Sequence, residues 1–305
     1  MRDQITDMDV FFNPKSIAII GASDTFKFGY TMTSYLLNSN FKTYPVNIHK
    51  DIIFGHKVFK NINDIPDDIE LAIIVVGNEK VLQVVKDSVK KGVKGIIIET
   101  AGFAETGIKR FVKIQEEIEV IAKISNVRII GPNCVGVTNF NNKFTTAEIN
   151  FDQSMEGGTI SIIAQSGVLG NIFIEWSSSQ NIGFSKAITL GNKVDVDEID
   201  MLEYLESDTN TNIITVYLEG VKRGKKLIEI LKKLTKPVLI LKNGRSEIGS
   251  KAIKSHTGSI AGDDTIYETI FKQYSGIYRV NNFYFNFNRF VSFSAKNAVS
   301  SSIFT

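Results

Sequence analysis

Short apolar runs alternate with stretches of helical spacing along most of this chain. The runs are rich in valine and isoleucine and carry no alternating polar positions, which is typical of parallel strands buried on both faces. Between two such runs, apolar residues recur at helical spacing over residues 81–89. This order of strands and helices predicts an α/β fold built from parallel sheets.

The predicted strands form two series, which indicate two domains. They cover residues 15–21, 44–47, 71–76, 95–99 and 127–132, then 159–163, 184–188, 212–217, 237–241 and 276–280. Further helices are predicted over 198–206 and 225–234. We therefore expect one domain over residues 1–150 and another over 151–280. Residues 281–305 are atypical, because they lack acidic residues and crowd phenylalanines together, so we expect either a truncated or frameshifted end or a tail of its own kind.

Composition narrows the possible functions. The net charge is +2, with 43% hydrophobic and 22% charged residues, so neither nucleic acid nor a membrane is expected as a partner. A single cysteine excludes an intrachain disulfide, and the first residues do not form a signal peptide. We expect a cytoplasmic protein. No cluster of side chains has metal-ligand spacing, so no metal is expected on this chain.

The first candidate site follows the first strand, where Gly21 to Gly29 read Gly-Ala-Ser-Asp-Thr-Phe-Lys-Phe-Gly. Small residues at such a turn allow backbone N–H groups to approach a phosphate, and Lys27 adds a positive charge. The spacing of glycines is not that of an NAD site, and the acid expected after the second strand is missing. His49 and Lys50 follow that strand instead, which favours the phosphorylated ribose of CoA over NAD.

The second series carries three fragments with chemical potential. Ser166 and the backbone N–H groups of Gly167 and Val168 lie where a strand passes into a helix, as in anion sites. His256 stands among small polar residues, where a nucleophilic imidazole is accessible to a bulky phosphate. Glu219 ends a predicted strand and is able to accept the other ring N–H of that histidine. Each fragment alone is also compatible with an ordinary structural role, as a helix cap, an exposed loop histidine or a solvated acid at a strand end.

Taken in order, these fragments resemble the α part of ADP-forming acetyl-CoA synthetases, within the succinyl-CoA synthetase superfamily. The resemblance covers residues 12 to about 280, and its pieces are 12–23, 101–103, 131–134, 165–167, 191–192, 195–197, 217–220 and 255–259. It implies a Rossmann-like CoA-binding domain followed by a flavodoxin-like ligase domain. The residues expected to bind CoA are Gly21, Ser23, Lys27, Gly29, Val46, Asn47, His49, Lys50, Val76, Ala101, Asn133 and Cys134.

The resemblance also implies a reaction cycle. Acyl-CoA, ADP and phosphate would be interconverted with acid, CoA and ATP through a phosphohistidine at His256, oriented by Glu219. The nucleotide and Mg²⁺ would be bound by a partner ATP-grasp chain or domain, because no such module is present here. Two alternatives stay open, a non-catalytic CoA-binding or truncated remnant and, less favoured, an NAD-dependent dehydrogenase.

One departure from the family pattern concerns the second strand. The family usually reads Pro-Val-Asn-Pro-Lys there, whereas this chain reads Pro-Val-Asn-Ile-His over residues 45–49. The contact to the CoA phosphate is therefore expected from His49 or Lys50, or it is weakened.

Overall fold

The computed structural model describes residues 8–148, 157–179, 182–242 and 276–280. Its strands are β1 Ile17–Ile20, β2 Thr43–Val46, β3 Ile52–Ile53, β4 His56–Lys57, β5 Leu71–Ile74, β6 Gly95–Ile98, β7 Arg128–Ile130, β8 Val137–Asn139, β9 Phe144–Thr145, β10 Ile160–Ala164, β11 Phe184–Thr189, β12 Ile213–Leu218, β13 Val238–Lys242 and β14 Ile277–Arg279. Its α-helices are α1 Tyr30–Leu37, α2 Asn78–Lys91, α3 Lys109–Ile124, α4 Gly167–Ser179, α5 Glu198–Ser207 and α6 Gly224–Leu231.

The first sheet has the parallel order β2-β1-β5-β6-β7. Strands β1, β5 and β6 are buried at every position, as their unbroken apolar sequences predict. Strand order reverses beside β1, since β2 lies on one side of it and β5 on the other. Ligands of open α/β sheets bind at such a reversal, beyond the carboxyl ends of the strands.

The second sheet has the order β14-β13-β12-β10-β11-β8-β9. Its five strands from β10 to β14 are parallel, while β8 and β9 extend it as an antiparallel edge. The α/β architecture of two largely parallel sheets is as predicted. The antiparallel β8 and β9 depart from the expectation of parallel strands only, because residues 137–145 make a short hairpin that carried no strong strand pattern.

The two sheets are joined by more than the connecting chain. Strands β8 and β9 precede residue 150 yet pair with the second sheet, so sheet membership changes after β7. The limits proposed for the two domains stay a prediction. A buried ion pair reinforces the junction, as the Arg128 guanidinium on β7 contacts the carboxylates of Asp195 (2.8 Å) and Asp200 (3.4 Å). A mostly buried charge needs such partners to offset its loss of hydration.

Candidate functional site

A cavity of about 600 Å³ opens at the carboxyl end of the first sheet. Its walls come from the ends of β1, β2 and β5, from the first turns of α2 and from residues 60–62. This is the position in which the strand order predicts a ligand. The volume lies within the range of small-molecule and cofactor sites.

Half of the residues expected to bind CoA line this cavity. They are Gly21, Lys27, Val46, Asn47, His49 and Val76. Gly21 has a positive φ of 100°, and a Cβ at this position would lie 2.9 Å from the backbone carbon of Val75. Only glycine therefore allows β1 and β5 to end this close together. The Asn47 side chain closes the turn by donating from Nδ2 to the Ala22 carbonyl (2.8 Å).

Three further expected residues lie in or beside the turn around Gly21 but do not line the cavity. Ser23 is buried, and its hydroxyl accepts a hydrogen bond from the Thr25 N–H (3.1 Å). Gly29 has a φ of 89° and precedes α1. The Lys50 ammonium is paired with the Asp24 carboxylate. The turn thus explains the first two residues structurally, while their contact with CoA stays a prediction.

The other three lie at the carboxyl ends of β6 and β7. Ala101 is exposed on the loop that follows β6. Asn133 has a φ of 61° and donates from Nδ2 to the side chain of Asn192 (3.3 Å) in the second domain. Cys134 is buried, with its thiol donating to the Ile98 carbonyl (3.3 Å), and burial raises its pKa well above the ordinary value. A buried thiol with a raised pKa is a poor nucleophile, and the contact of Cys134 with CoA stays a prediction.

The sequence interpretation missed the basic and polar residues that complete the lining. Lys60 lies beside the end of β2, while Lys80 and Gln83 extend from α2. No local motif marks these residues, because ordinary helix and loop positions carry the same residue types. Their only signal is nearness in space to the turn around Gly21.

A second candidate centre lies at the carboxyl ends of β10 and β12, where polar groups are buried. Gln165 is 1% exposed, and its Oε1 accepts hydrogen bonds from the N–H groups of Glu219 (2.9 Å) and Gly220 (3.1 Å). The Glu219 side chain is 3% exposed and accepts a hydrogen bond from the Tyr217 hydroxyl (3.2 Å). These contacts fix the carboxylate and its backbone relative to the start of α4.

The residues expected to bind a phosphoryl group lie at that helix start. Ser166 is buried and precedes α4, which begins at Gly167, while Val168 is exposed. Backbone N–H groups of a first helical turn lack partners within the helix and favour an anion. His256 lies outside the residues that the structure describes, so its contact with Glu219 stays a prediction.

The junction between the two sheets contains an acid that the sequence interpretation did not identify. Glu99 follows β6, is 3% exposed, and neither carboxylate oxygen has a hydrogen-bond partner within ordinary limits among the described residues. Burial raises the pKa of Glu99 well above its usual value. The neighbouring Thr146 hydroxyl lowers that pKa in smaller part, and the Glu148 carboxylate raises it. An unpaired carboxyl group in such surroundings is favoured in its protonated form.

Two further findings concern metal binding and membrane-spanning helices. Across residues 8–148, 157–179, 182–242 and 276–280, no group of three or more His, Cys, Asp and Glu side chains is placed to hold a metal ion. Within the same ranges, no helix has both the length and the apolarity required to cross a membrane.

Comparisons with known proteins agree with this geometry. Residues 15–139 match the family of CoA binding domains, and residues 157–288 match the succinyl-CoA ligase like flavodoxin domain. An ADP-forming acetate–CoA ligase of Methanocaldococcus jannaschii is 47% identical, over 88% of this chain and 38% of its own length. The α subunit of ADP-forming acetate–CoA ligase II of Pyrococcus furiosus is 44% identical, over 90% of this chain and 60% of its own length.

A solved structure is also similar to this chain. It is the dinucleotide forming acetyl-coenzyme A synthetase 1 of Ca. Korarchaeum cryptofilum in complex with phosphate and ADP, with a TM-score of 0.82 and 35% identity. The match covers 90% of this chain and 60% of that one. The present chain thus spans between 38% and 60% of these relatives. The chain combines a CoA-binding domain with a succinyl-CoA ligase like flavodoxin domain, and over about nine tenths of its length it is similar to ADP-forming acetate–CoA ligases.

Proposed function

We propose that this chain is the α part of an ADP-forming acyl-CoA synthetase that works through a phosphohistidine at His256. The proposal rests on the presence of two different sites in one chain. A nucleotide-sized cavity lies at the carboxyl end of the first sheet, and a fixed buried acid, Glu219, lies at the carboxyl end of the second. Relatives that match about nine tenths of this chain are named as ADP-forming ligases.

The first half of the proposed cycle takes place between CoA and phosphate. Inorganic phosphate attacks the thioester carbonyl, the C–S bond breaks, and the CoA thiolate leaves and takes up a proton. The product is an acyl phosphate. The cavity would hold CoA through its nucleotide part, with the turn around Gly21 against its phosphates. Binding energy from this remote part of the substrate supports orientation at the reacting carbonyl.

The second half transfers the phosphoryl group. A nitrogen of His256 attacks the acyl phosphate, the P–O bond to the acyl group breaks, and the acid leaves as a carboxylate. Glu219 would accept the other ring N–H and stabilise the positive charge that develops on the ring. The N–H groups of Gly167 and Val168 would stabilise the phosphoryl oxygens. Positioning and electrostatics dominate phosphoryl transfer, so this small set of groups is sufficient.

The last step requires an ATP-grasp module in addition to the two domains described above. The phosphoryl group would pass from His256 to a terminal oxygen of ADP on an ATP-grasp module, where Mg²⁺ would neutralise charge on the phosphates. We therefore propose that an ATP-grasp module acts with this chain, as a β subunit of a hetero-oligomer or as a further domain. The relative from Pyrococcus furiosus is itself named as a subunit, which supports this arrangement.

The proposal is tested by labelling. The full chain with its ATP-grasp partner, radiolabelled phosphate and acetyl-CoA should give a base-stable, acid-labile phosphoprotein. His256→Ala should abolish the label and lower ATP formation by at least about 1000-fold, because the nucleophile is removed. His56→Ala is the control, since His56 is exposed on β4 and does not line the cavity. Undiminished ATP formation by His256→Ala would overturn the mechanism, while CoA binding without any labelling would favour the non-catalytic alternative.

A further inference from the structure

The end of β2 is extended by a segment that is remote from it in sequence. The Phe59 N–H donates to the Pro45 carbonyl (3.0 Å), and the Asn47 N–H donates to the Phe59 carbonyl (2.9 Å). These bonds place residue 60 beside the carboxyl end of β2, where Lys60 lines the cavity with Asn47 and His49. In α/β folds that bind dinucleotides, the residues after the second strand face the ribose hydroxyls.

The Lys60 ammonium has two partners at this edge, a backbone carbonyl and an exposed carboxylate. It donates to the Lys50 carbonyl (2.9 Å) and pairs with Asp51 Oδ1 (2.8 Å). The Asp51 side chain is 89% exposed, and the ion pair lowers its pKa. Such an exposed pair is weak, so a ligand phosphate is able to replace the carboxylate without losing the carbonyl contact.

The other basic groups near the cavity occupy different positions. Lys50 is paired with Asp24 and does not line the cavity. Lys27 belongs to the turn after β1, and Lys80 belongs to α2, which follows β5. His49 also follows β2 and lines the cavity, one residue before Lys50. Lys60 is therefore the lysine of the described cavity lining that lies beside the carboxyl end of β2, at the position of the ribose.

We propose that Lys60 recognises the 3′-phosphate of CoA and makes this cavity discriminate between CoA and 3′-dephospho-CoA. It supplies a lysine beside His49, where the sequence interpretation expected the phosphate contact. The inference rests on the proposed function, because it requires that CoA occupies this cavity. It assigns the phosphate contact to a residue that lies eleven positions further along the chain and that only the pairing of residues 58–60 with β2 brings into place.

Calorimetric titration of the full chain with CoA and with 3′-dephospho-CoA tests the assignment. The unchanged protein should bind CoA more tightly. Lys60→Gln should weaken CoA binding by about 10- to 100-fold, the effect of losing a hydrogen bond to a charged group, and should change 3′-dephospho-CoA binding by less than about twofold. Lys60→Arg should recover most of the loss. The matched control is Lys42→Gln, which removes the same charge at the opposite end of β2.

A complementary variant acts in the other direction. Asp51→Asn removes the competing carboxylate and should tighten CoA binding by about two- to threefold, with no effect on 3′-dephospho-CoA. Equal losses of both ligands in Lys60→Gln, or no loss of either, would overturn the inference while leaving CoA binding itself established. If the unchanged protein binds neither ligand, the CoA function is wrong, and the role of Lys60 fails with it.

Discussion

The two sheets end in similar strand-to-helix turns, but their carboxyl ends are built in opposite ways. Beyond the first sheet lies an open cavity, and charged side chains such as Lys27, Lys60 and Lys80 reach it from three different segments. Beyond the second sheet, Gln165 and Glu219 are almost entirely buried, and the Gln165 side chain accepts a hydrogen bond from the Glu219 N–H. The first end is suited to holding a large ligand by complementary shape and charge, whereas the second is suited to fixing a small charged group in one orientation.

This difference predicts that the two ends respond to different substitutions. A defect in the buried centre should lower stability and phosphoryl transfer together. A defect at the open cavity should lower ligand affinity while leaving the rest of the molecule intact. Three variants test this separation, in order of expected effect.

The largest effect is expected from Gln165→Leu. Its Oε1 accepts from two buried backbone N–H groups, those of Glu219 and Gly220, and leucine leaves both without this partner. Each buried donor left unsatisfied costs about 1–3 kcal/mol, so the free energy of unfolding should fall by about 2–5 kcal/mol. Chemical denaturation measures the loss. Labelling of His256 should fall, and CoA affinity measured under folding conditions should stay within about twofold.

A result in which Gln165→Leu weakens CoA binding more than labelling would break the separation. It would mean that the buried centre and the cavity form one cooperative unit.

The second variant, Gly21→Ala, addresses the open end. The added Cβ would meet the Val75 backbone at 2.9 Å, at a φ of 100° that alanine rarely adopts. Left-handed backbone costs an L-residue about 1–2 kcal/mol, so we expect CoA affinity to fall at least about tenfold as the turn shifts. Calorimetry with CoA measures the change. Labelling at saturating substrate should be retained.

Gly92→Ala is the control for backbone strain alone. Gly92 also has a positive φ, of 85°, but an added Cβ there meets no atom within 4 Å. It should cost about 1 kcal/mol of stability with unchanged CoA affinity. Similar CoA affinities in Gly21→Ala and in the unchanged protein would show that the turn does not shape the ligand site.

The third and smallest effect concerns Glu99 at the junction of the two regions. Its pKa is raised in the folded protein by burial, so folding favours the protonated form. The folded state therefore retains a proton that the unfolded chain releases above about pH 4.3, and the stabilising contribution falls as pH rises from there towards the folded pKa. Glu99→Gln should flatten this dependence, by up to about 1 kcal/mol per pH unit.

Denaturation of both proteins at pH 5, 6, 7 and 8 checks the prediction. The Glu148 carboxylate raises the pKa of Glu99, and the Glu99 carboxylate raises the pKa of the Cys134 thiol. Glu148→Gln therefore serves as the companion variant. Parallel stability curves for Glu99→Gln and the unchanged protein would show that Glu99 is ionised in the fold and that an unidentified partner stabilises it.

The sequence predicted much of the fold because the information is local. Unbroken apolar runs are enough to identify strands such as β1 and β5, since burial on both faces leaves no room for polar positions. The helix predicted over 198–206 is α5, and Asp197 caps it by accepting a hydrogen bond from the Ile199 N–H (2.8 Å). Gly21 was recognisable as a turn residue from its place after a strand. These features depend on neighbours within a few residues.

What the sequence left undetermined depends on contacts between remote segments. It did not predict that residues 58–60 extend the edge of β2, that β8 and β9 join the second sheet, or that Gln165 binds the backbone of Glu219. Local periodicity carries no information on these pairings, because many partners would satisfy the same hydrogen-bonding groups. The sequence by itself determined the order of elements, the glycine turns and the family resemblance. Only the tertiary structure decided which charges meet at the cavity and which acids are buried, since burial and charge pairing are properties of the packed chain.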